Sequence, residues 1–179
     1  MKHPKDGQRT VSRRSALLGA AGGMLALGRA AQAQALDGEF GEAPAAMIRW
    51  RDLTLIDGST VDAAAWSSRP AIVVFWQTWC PFCKRHNAQM EALFESAPHA
   101  PYRILGASTE SDKDKVARYV QANGIHFPVA MVDQDFRHQF SARRVIPLTC
   151  LVAAGGRVLQ VIAGEMAADD VQSLARTLG

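Results

Sequence analysis

Ala71-Ile72-Val73-Val74-Phe75-Trp76, followed after Gln77-Thr78 by Trp79-Cys80-Pro81-Phe82-Cys83-Lys84, is the stretch from which the rest of the chain can be read. An unbroken apolar run of this length, rich in β-branched and aromatic side chains, reads as a strand buried on both faces. Pro81 suits the first position of a helix, because its missing N–H is not needed there and its fixed φ is already helical. Two cysteines at i and i+3 on that first turn can close a disulfide, the geometry of a thiol redox centre. Cys80 falls at the helix N-terminus, where unpaired N–H groups and the macrodipole favour a thiolate, so it is expected to be the nucleophile. Cys83, one turn in and more shielded, is expected to resolve the mixed disulfide that Cys80 forms.

Other uses of a C-x-x-C pair fit less well. A zinc site needs two more ligands at motif spacing, yet the remaining cysteine is Cys150 and no His-x3-5-His pair lies nearby. Covalent haem attachment needs His directly after the second cysteine, where this chain has Lys84. No metal site and no cofactor beyond the Cys80–Cys83 dithiol is therefore expected.

The N-terminus reads as an export signal over residues 1–33. Lys2, Lys5, Arg9, Arg13 and Arg14 precede a mildly apolar stretch from Ser15 to Leu27, then Arg29 and Ala31-Gln32-Ala33. Ser12-Arg13-Arg14-Ser15 and the weakly hydrophobic Gly/Ala core fit twin-arginine translocation, with cleavage near residue 33 and a periplasmic product. The apolar run is shorter than the roughly 20 residues that span a bilayer. Removal of this leader leaves 14 of the 20 basic and 16 of the 17 acidic residues, a net charge near −2, so the overall pI of 9.0 belongs to the signal. The mature part has no basic run interleaved with aromatics, and nucleic-acid binding is not expected. Its roughly 145 residues suffice for one domain, taken as 48–179 and as a monomer, after a small, polar linker over 34–47.

Within that domain, extended pieces at Leu53–Leu55 and Ser59–Asp62 flank Asp57-Gly58 and predict a hairpin. The helix opening near Cys80 carries Met90, Leu93, Phe94 and Ala97 at helical spacing and stops before Pro98. Tyr102–Ser108 predicts a strand, and Ser111 with Asp114 an N-cap pair for a helix with Val116, Tyr119 and Val120 inward and Gly124 as its stop. Phe127–Val132 predicts a strand and Asp133–Phe140 a short helix. Leu148–Ala153 and Arg157–Ala163 alternate about Gly155-Gly156 as a hairpin, and Asp169–Leu178 closes the chain as a helix. This order gives an α/β fold, a central mixed sheet with helices on both faces.

From about Met47 onward the sequence resembles the thioredoxin superfamily, and within it the exported TlpA/ResA-type thiol-disulfide oxidoreductases. The likeness rests on Phe75-Trp76-Gln77-Thr78-Trp79, on Cys80-Pro81-Phe82-Cys83, on the extra strand and helix between about 109 and 132, and on Val145-Ile146-Pro147-Leu148-Thr149. The resemblance implies a cis Pro147 facing the dithiol, with Ile146 pairing its backbone to an extended substrate. Trp79, Pro81 and Phe82 would complete that groove. It further implies exported protein disulfides as substrates, among them apocytochrome c and copper-site cysteines, and a membrane thiol reductase as electron donor.

The chain also departs from its relatives. His86 stands where this branch usually has an acid. One turn from Cys83, it is open to two readings: a proton acceptor or cation that tunes the thiols, or a solvated helix-surface histidine. Val74 replaces the buried acid that thioredoxin has six residues before its first cysteine, and Ala88 replaces a proline common in relatives, favouring a straighter helix. Cys150 reads as a small apolar core residue. Trp50, Trp66, Trp76, Phe127 and Met131 read as core, and Arg143-Arg144 as a solvated face.

Phe82 between the cysteines offers bulk without the charge that makes a strong oxidant, which favours reduction or exchange, whereas a cationic His86 would oppose it. The 63 residues between Cys83 and Pro147 leave no room for the helical insertion of a DsbA-like oxidase. Two other classes were weighed. A copper-handling thiol chaperone is compatible with soft thiolates. A peroxiredoxin-like peroxidase is disfavoured, because Val73 and Gln77 occupy the positions where it needs Pro and Thr or Ser.

Overall fold

In the computed structural model, residues 46–178 are described, so the expected signal over 1–33 and most of the linker over 34–47 lie outside the described residues. The hairpin consists of β1 (Leu53–Thr54) and β2 (Thr60–Val61), paired antiparallel. A short helix follows, α1 (Ala63–Ser67), which the sequence reading did not anticipate. Asp62 caps it by accepting a hydrogen bond from the Ala65 N–H at 2.6 Å. Five residues are too few to show a helical period.

The central sheet is built from β3 (Ala71–Trp76), β4 (Arg103–Ser108), β5 (Val129–Met131), β6 (Leu148–Val152) and β7 (Val158–Ala163) in the order β5-β4-β3-β6-β7. β3, β4 and β5 run parallel, while β6 is antiparallel to β3 and β7. The mixed sheet and its thioredoxin-like layout are thus as expected. β3 lies at its centre, and its side chains divide by strict alternation. Ala71, Val73 and Phe75 join a cluster with Trp66, Leu148, Phe136 and Phe140, while Ile72, Val74 and Trp76 join Cys83, Met90, Leu93, Val116 and Leu174.

Four more helices cover these faces: α2 (Pro81–Ser96), α3 (Lys113–Ala122), α4 (Gln134–His138) and α5 (Ala168–Leu178). α2 runs unbroken and buries Cys83, His86, Asn87, Met90, Glu91 and Leu93. The α3 cap is Asp112, whose carboxylate accepts from the Lys115 N–H, rather than the expected Ser111. β5 is shorter than expected because Phe127 and Pro128 lead into it; the Pro128 carbonyl already serves the Gly106 N–H. α4 ends at His138, two residues before the expected Phe140, which packs edge-on against Phe75 instead. Trp50 and Met131, read as core, are only partly buried.

The leading segment engages both outer strands. Ala46 accepts a hydrogen bond from the Val158 N–H at 2.9 Å, Met47 bridges Arg157 and Ile48 donates to Gly156 at 2.7 Å, so Ala46 and Met47, the last two residues of the expected linker, already sit on the domain. Leu55 bridges Ala130 antiparallel, and Ile56 donates to the Val129 carbonyl at 2.8 Å. The β6–β7 turn that receives this segment is a 3-10 turn at Ala154–Gly156. Gly156 has φ +100°, and a Cβ there would stand 2.5 Å from the Ile48 carbonyl oxygen. Gly58 also has positive φ but faces open space. Gly156→Ala is therefore expected to cost more than ~2 kcal/mol and Gly58→Ala only ~1 kcal/mol, checked by urea denaturation of both variants.

Candidate active site

β3 delivers the chain to the C-terminal edge of the parallel strands, and a short turn converts it into α2. That turn is held from the side by the segment after β4. Gln77 Nε2 donates to Thr109 Oγ1 at 3.0 Å, and the Thr78 N–H donates to the Glu110 carboxylate. Glu110 also pairs with Lys115 at 3.0 Å. Burial would raise the Glu110 carboxyl, but the bonds from Thr78 and Lys115 outweigh it and hold the group below the ordinary carboxylate range.

Cys80 is the N-cap of α2, with Pro81 following it at the first helical position. Cys80 and Cys83 are joined in a disulfide with Cα atoms 5.2 Å apart. The Cys83 N–H points at Cys80 Sγ from 3.1 Å, and in the reduced protein that donor and the helix N-terminus stabilise a thiolate at Cys80. Cys80 keeps 4% of its surface exposed and Cys83 none, so Cys80 is the less enclosed of the two. Ile146 and Pro147 approach from the opposite side: their peptide bond is cis, and the Ile146 carbonyl oxygen lies 4.0 Å from Cys80 Sγ. Trp79, Phe82 and Val145 are large apolar side chains left exposed, at 65%, 55% and 39%. Phe82 is backed by the Arg85 guanidinium, 5.0 Å from its ring centre, and Arg85 is itself forked onto Glu165. The dithiol thus sits in an apolar collar.

His86 corrects the reading of a solvated helix-surface residue. It is fully buried, and that burial favours its neutral form over the cation. The Met166 N–H donates to His86 Nδ1 at 3.4 Å, so that nitrogen must carry the lone pair, and the proton belongs on Nε2, 2.9 Å from Thr149 Oγ1. Burial pushes the imidazole down to about 4, against a smaller upward pull from Glu165. The charge that would have stabilised the Cys thiolate and raised the potential is absent. Thr149 stands opposite Val74 in the β3–β6 register, so a neutral imidazole–hydroxyl pair occupies the neighbourhood in which thioredoxin keeps an acid.

Cys150, three residues past Pro147, is a buried free thiol whose pKa burial pushes up to about 12, as suits an inert core position. Arg143 and Arg144 are both exposed, yet Arg144 lines a cavity beside the dithiol. Arg137 was missed altogether. It is 3% exposed, and its Nη2 donates to the Val145 carbonyl at 3.0 Å, a contact across a loop that local spacing does not reveal.

The AhpC/TSA family model matches residues 43–160, a span that holds β1 to β6, the first half of β7, and Cys80, Cys83, His86 and Pro147. The chain belongs to the AhpC/TSA family. Among similar proteins, the thiol-disulfide oxidoreductase ResA of Geobacillus kaustophilus is 27% identical over 122 residues, covering 67% of this chain and 69% of that protein. The soluble secreted antigen MPT53 of Mycobacterium tuberculosis is 31% identical over 75 residues, covering 41% and 42%. The similar stretches therefore span from about two fifths to about two thirds of those relatives. A thiol:disulfide interchange protein of Chlorobium tepidum superposes with a TM-score of 0.68 at 22% identity, covering 76% of this chain and 98% of that one, which shows the shared fold.

His86 ties stability to pH. Folded, it titrates near 4; unfolded, near 6.5. Between those values the unfolded chain holds a proton that the folded chain lacks, so this contribution is full above pH 6.5, falls as pH falls and levels off below 4. Urea titrations at a series of pH values are expected to show a loss on the order of 3 kcal/mol across that window, and His86→Asn to flatten it.

Proposed function

We propose that the chain is an exported thiol-disulfide oxidoreductase that exchanges electrons with protein disulfides through Cys80 and Cys83, acting mainly as a reductase. The single observation that carries the exchange chemistry is the disulfide at the α2 N-terminus, with one slightly exposed cysteine, one enclosed cysteine and a backbone N–H aimed at the sulfur of the former. The family membership and the names of the relatives support the same activity. Electrons and atoms balance simply. The Cys80 thiolate attacks one sulfur of a partner disulfide, an S–S bond forms as the partner's breaks, and the departing sulfur leaves as a thiolate. Cys83 then attacks Cys80 Sγ, closing Cys80–Cys83 and releasing the partner as a dithiol, two electrons richer. A donor thiol, proposed to belong to a membrane reductase, reverses these steps on Cys80.

The direction is argued from charge. Phe82 between the cysteines is apolar, His86 one turn beyond Cys83 is neutral and Arg85 is forked onto Glu165, so these positions add little stabilisation to the reduced dithiol, and a less stabilised thiolate makes a better electron donor. The exposed collar of Trp79, Phe82 and Val145, with the Ile146–Pro147 segment above Cys80, fits an extended polypeptide better than a small thiol. Location in the periplasm is proposed from the twin-arginine-like leader at Arg13-Arg14 and agrees with the secreted relative. Disulfides of apocytochrome c or of copper-site cysteines in exported proteins are the proposed substrates.

In a Cys83→Ala variant, Cys80 is expected to alkylate rapidly with an apparent pKa below the ordinary ~8.5 and to accumulate mixed disulfides. In Cys80→Ala, alkylation at Cys83 is expected to be at least ~10-fold slower, and Cys150 is expected to stay unmodified until the protein is denatured. Mass spectrometry of timed reactions checks all three; faster labelling at Cys83 would reverse the assigned roles.

A further inference from the structure

Beside the dithiol lies an open cavity of about 360 Å³ lined by Gln77, Trp79, Thr109, Gln134, Arg137, His138, Arg144 and Ile146. Two of these residues flank the reactive sulfur directly: Trp79 adjoins Cys80 in the chain, and the Ile146 carbonyl lies 4.0 Å from its sulfur. The others are chemically one-sided. Two guanidiniums, an imidazole, two amides and a hydroxyl line the wall, and no carboxylate does.

The uncompensated charge is concentrated at Arg137. It is almost wholly buried, its guanidinium packs over the Phe75 ring at 5.4 Å, and Nη2 is fixed on the Val145 carbonyl. Nη1 has no hydrogen-bond partner among the described residues, and Arg137 forms no ion pair there. A buried guanidinium without a counter-charge costs free energy that a complementary anion would recover. Its neighbour Cys150 supplies none, since burial keeps that thiol protonated, and the nearby Arg144 adds repulsion. Arg144 itself is exposed and free of any ion pair among the described residues, so an anion can reach it.

Building on the exchange function above, we propose that this cavity is a carboxylate subsite. It selects partners that carry an acidic group beside the reacting cysteine, with Arg144 meeting the carboxylate at the rim and Arg137 supplying the buried positive charge beneath it. The same contact serves an acidic residue flanking a cysteine in a protein and the terminal carboxylates of glutathione. Arg137 also holds the Val145 carbonyl, so the charged group and the segment above Cys80 are positioned as one unit.

The test uses the reduced full-length protein and three peptides with one internal disulfide, identical except for Glu, Gln or Lys next to the attacked cysteine. Glutathione disulfide and its carboxyl-esterified form make a second arm. The Glu peptide is expected to react about tenfold faster than the Gln peptide at low salt, the ratio one charge-assisted hydrogen bond supplies. That ratio should shrink as salt is added. Arg144→Glu, at an exposed position, is expected to invert the order in favour of Lys, and Arg137→Met to bring the Glu/Gln ratio toward one. Acid preference in the peptide arm or in the glutathione arm supports the subsite and tells which source it serves. Exchange within twofold across all three peptides and also across the two forms of glutathione disulfide overturns the subsite and leaves the oxidoreductase function standing; no exchange with any disulfide overturns both.

Discussion

Because Ala71–Trp76 is buried on both faces, the rest of the domain has little freedom in how it is arranged. A central strand without a polar face must be flanked by two further strands and covered by two layers, which fixes β4 on one side and β6 on the other. Its parallel neighbour β4 requires a crossover connection, and α2 is that crossover. Cys80 therefore lands at a helix N-terminus on the edge of the sheet for a topological reason, before any chemistry is considered. Its antiparallel neighbour β6 starts at the same edge, which brings Ile146 and Pro147 over the sulfur. One strand's burial thus assembles two sequence segments more than sixty residues apart into a single site.

The polarity around the dithiol follows from what is buried with it. A charged group under Cys83 would have a strong hold on the thiols in so dry a setting. Here the buried pair is an imidazole that keeps its proton on one nitrogen and a threonine hydroxyl, both uncharged over the neutral range. What remains acting on Cys80 is the backbone: the Cys83 N–H and the dipole of α2. Two guanidiniums, those of Arg137 and Arg144, line the cavity beside the dithiol.

Much of this was legible in the residues, and the failures have physical causes. β3, α2 and the pairing of Cys80 with Cys83 follow from a six-residue apolar run and a C-x-x-C pair, signals that are local and strong. The burial of His86 was also legible in principle, since it lies four residues before Met90 on the stripe that continues to Leu93; the eye is drawn to its charge and not to its phase. α1 was hidden by its length, and the α3 cap shifted by one residue because Ser111 and Asp112 are both competent caps. Arg137 could not be found by pattern, because its defining contact is to Val145 across a loop. A buried arginine looks in sequence like any surface arginine.

The segment from Ala46 to Ile56, expected to hold the end of a linker and the start of a hairpin, hydrogen-bonds β7 at one margin of the sheet and β5 at the other. Open strand margins are templates for other chains, and proteins commonly shield them with short added strands or loops. A single run of about a dozen residues thus shields parts of both margins. Damage to it, by a protease nick or a register slip, would uncover two adhesive edges together, and its first symptom would be clumping of molecules whose cysteines still work.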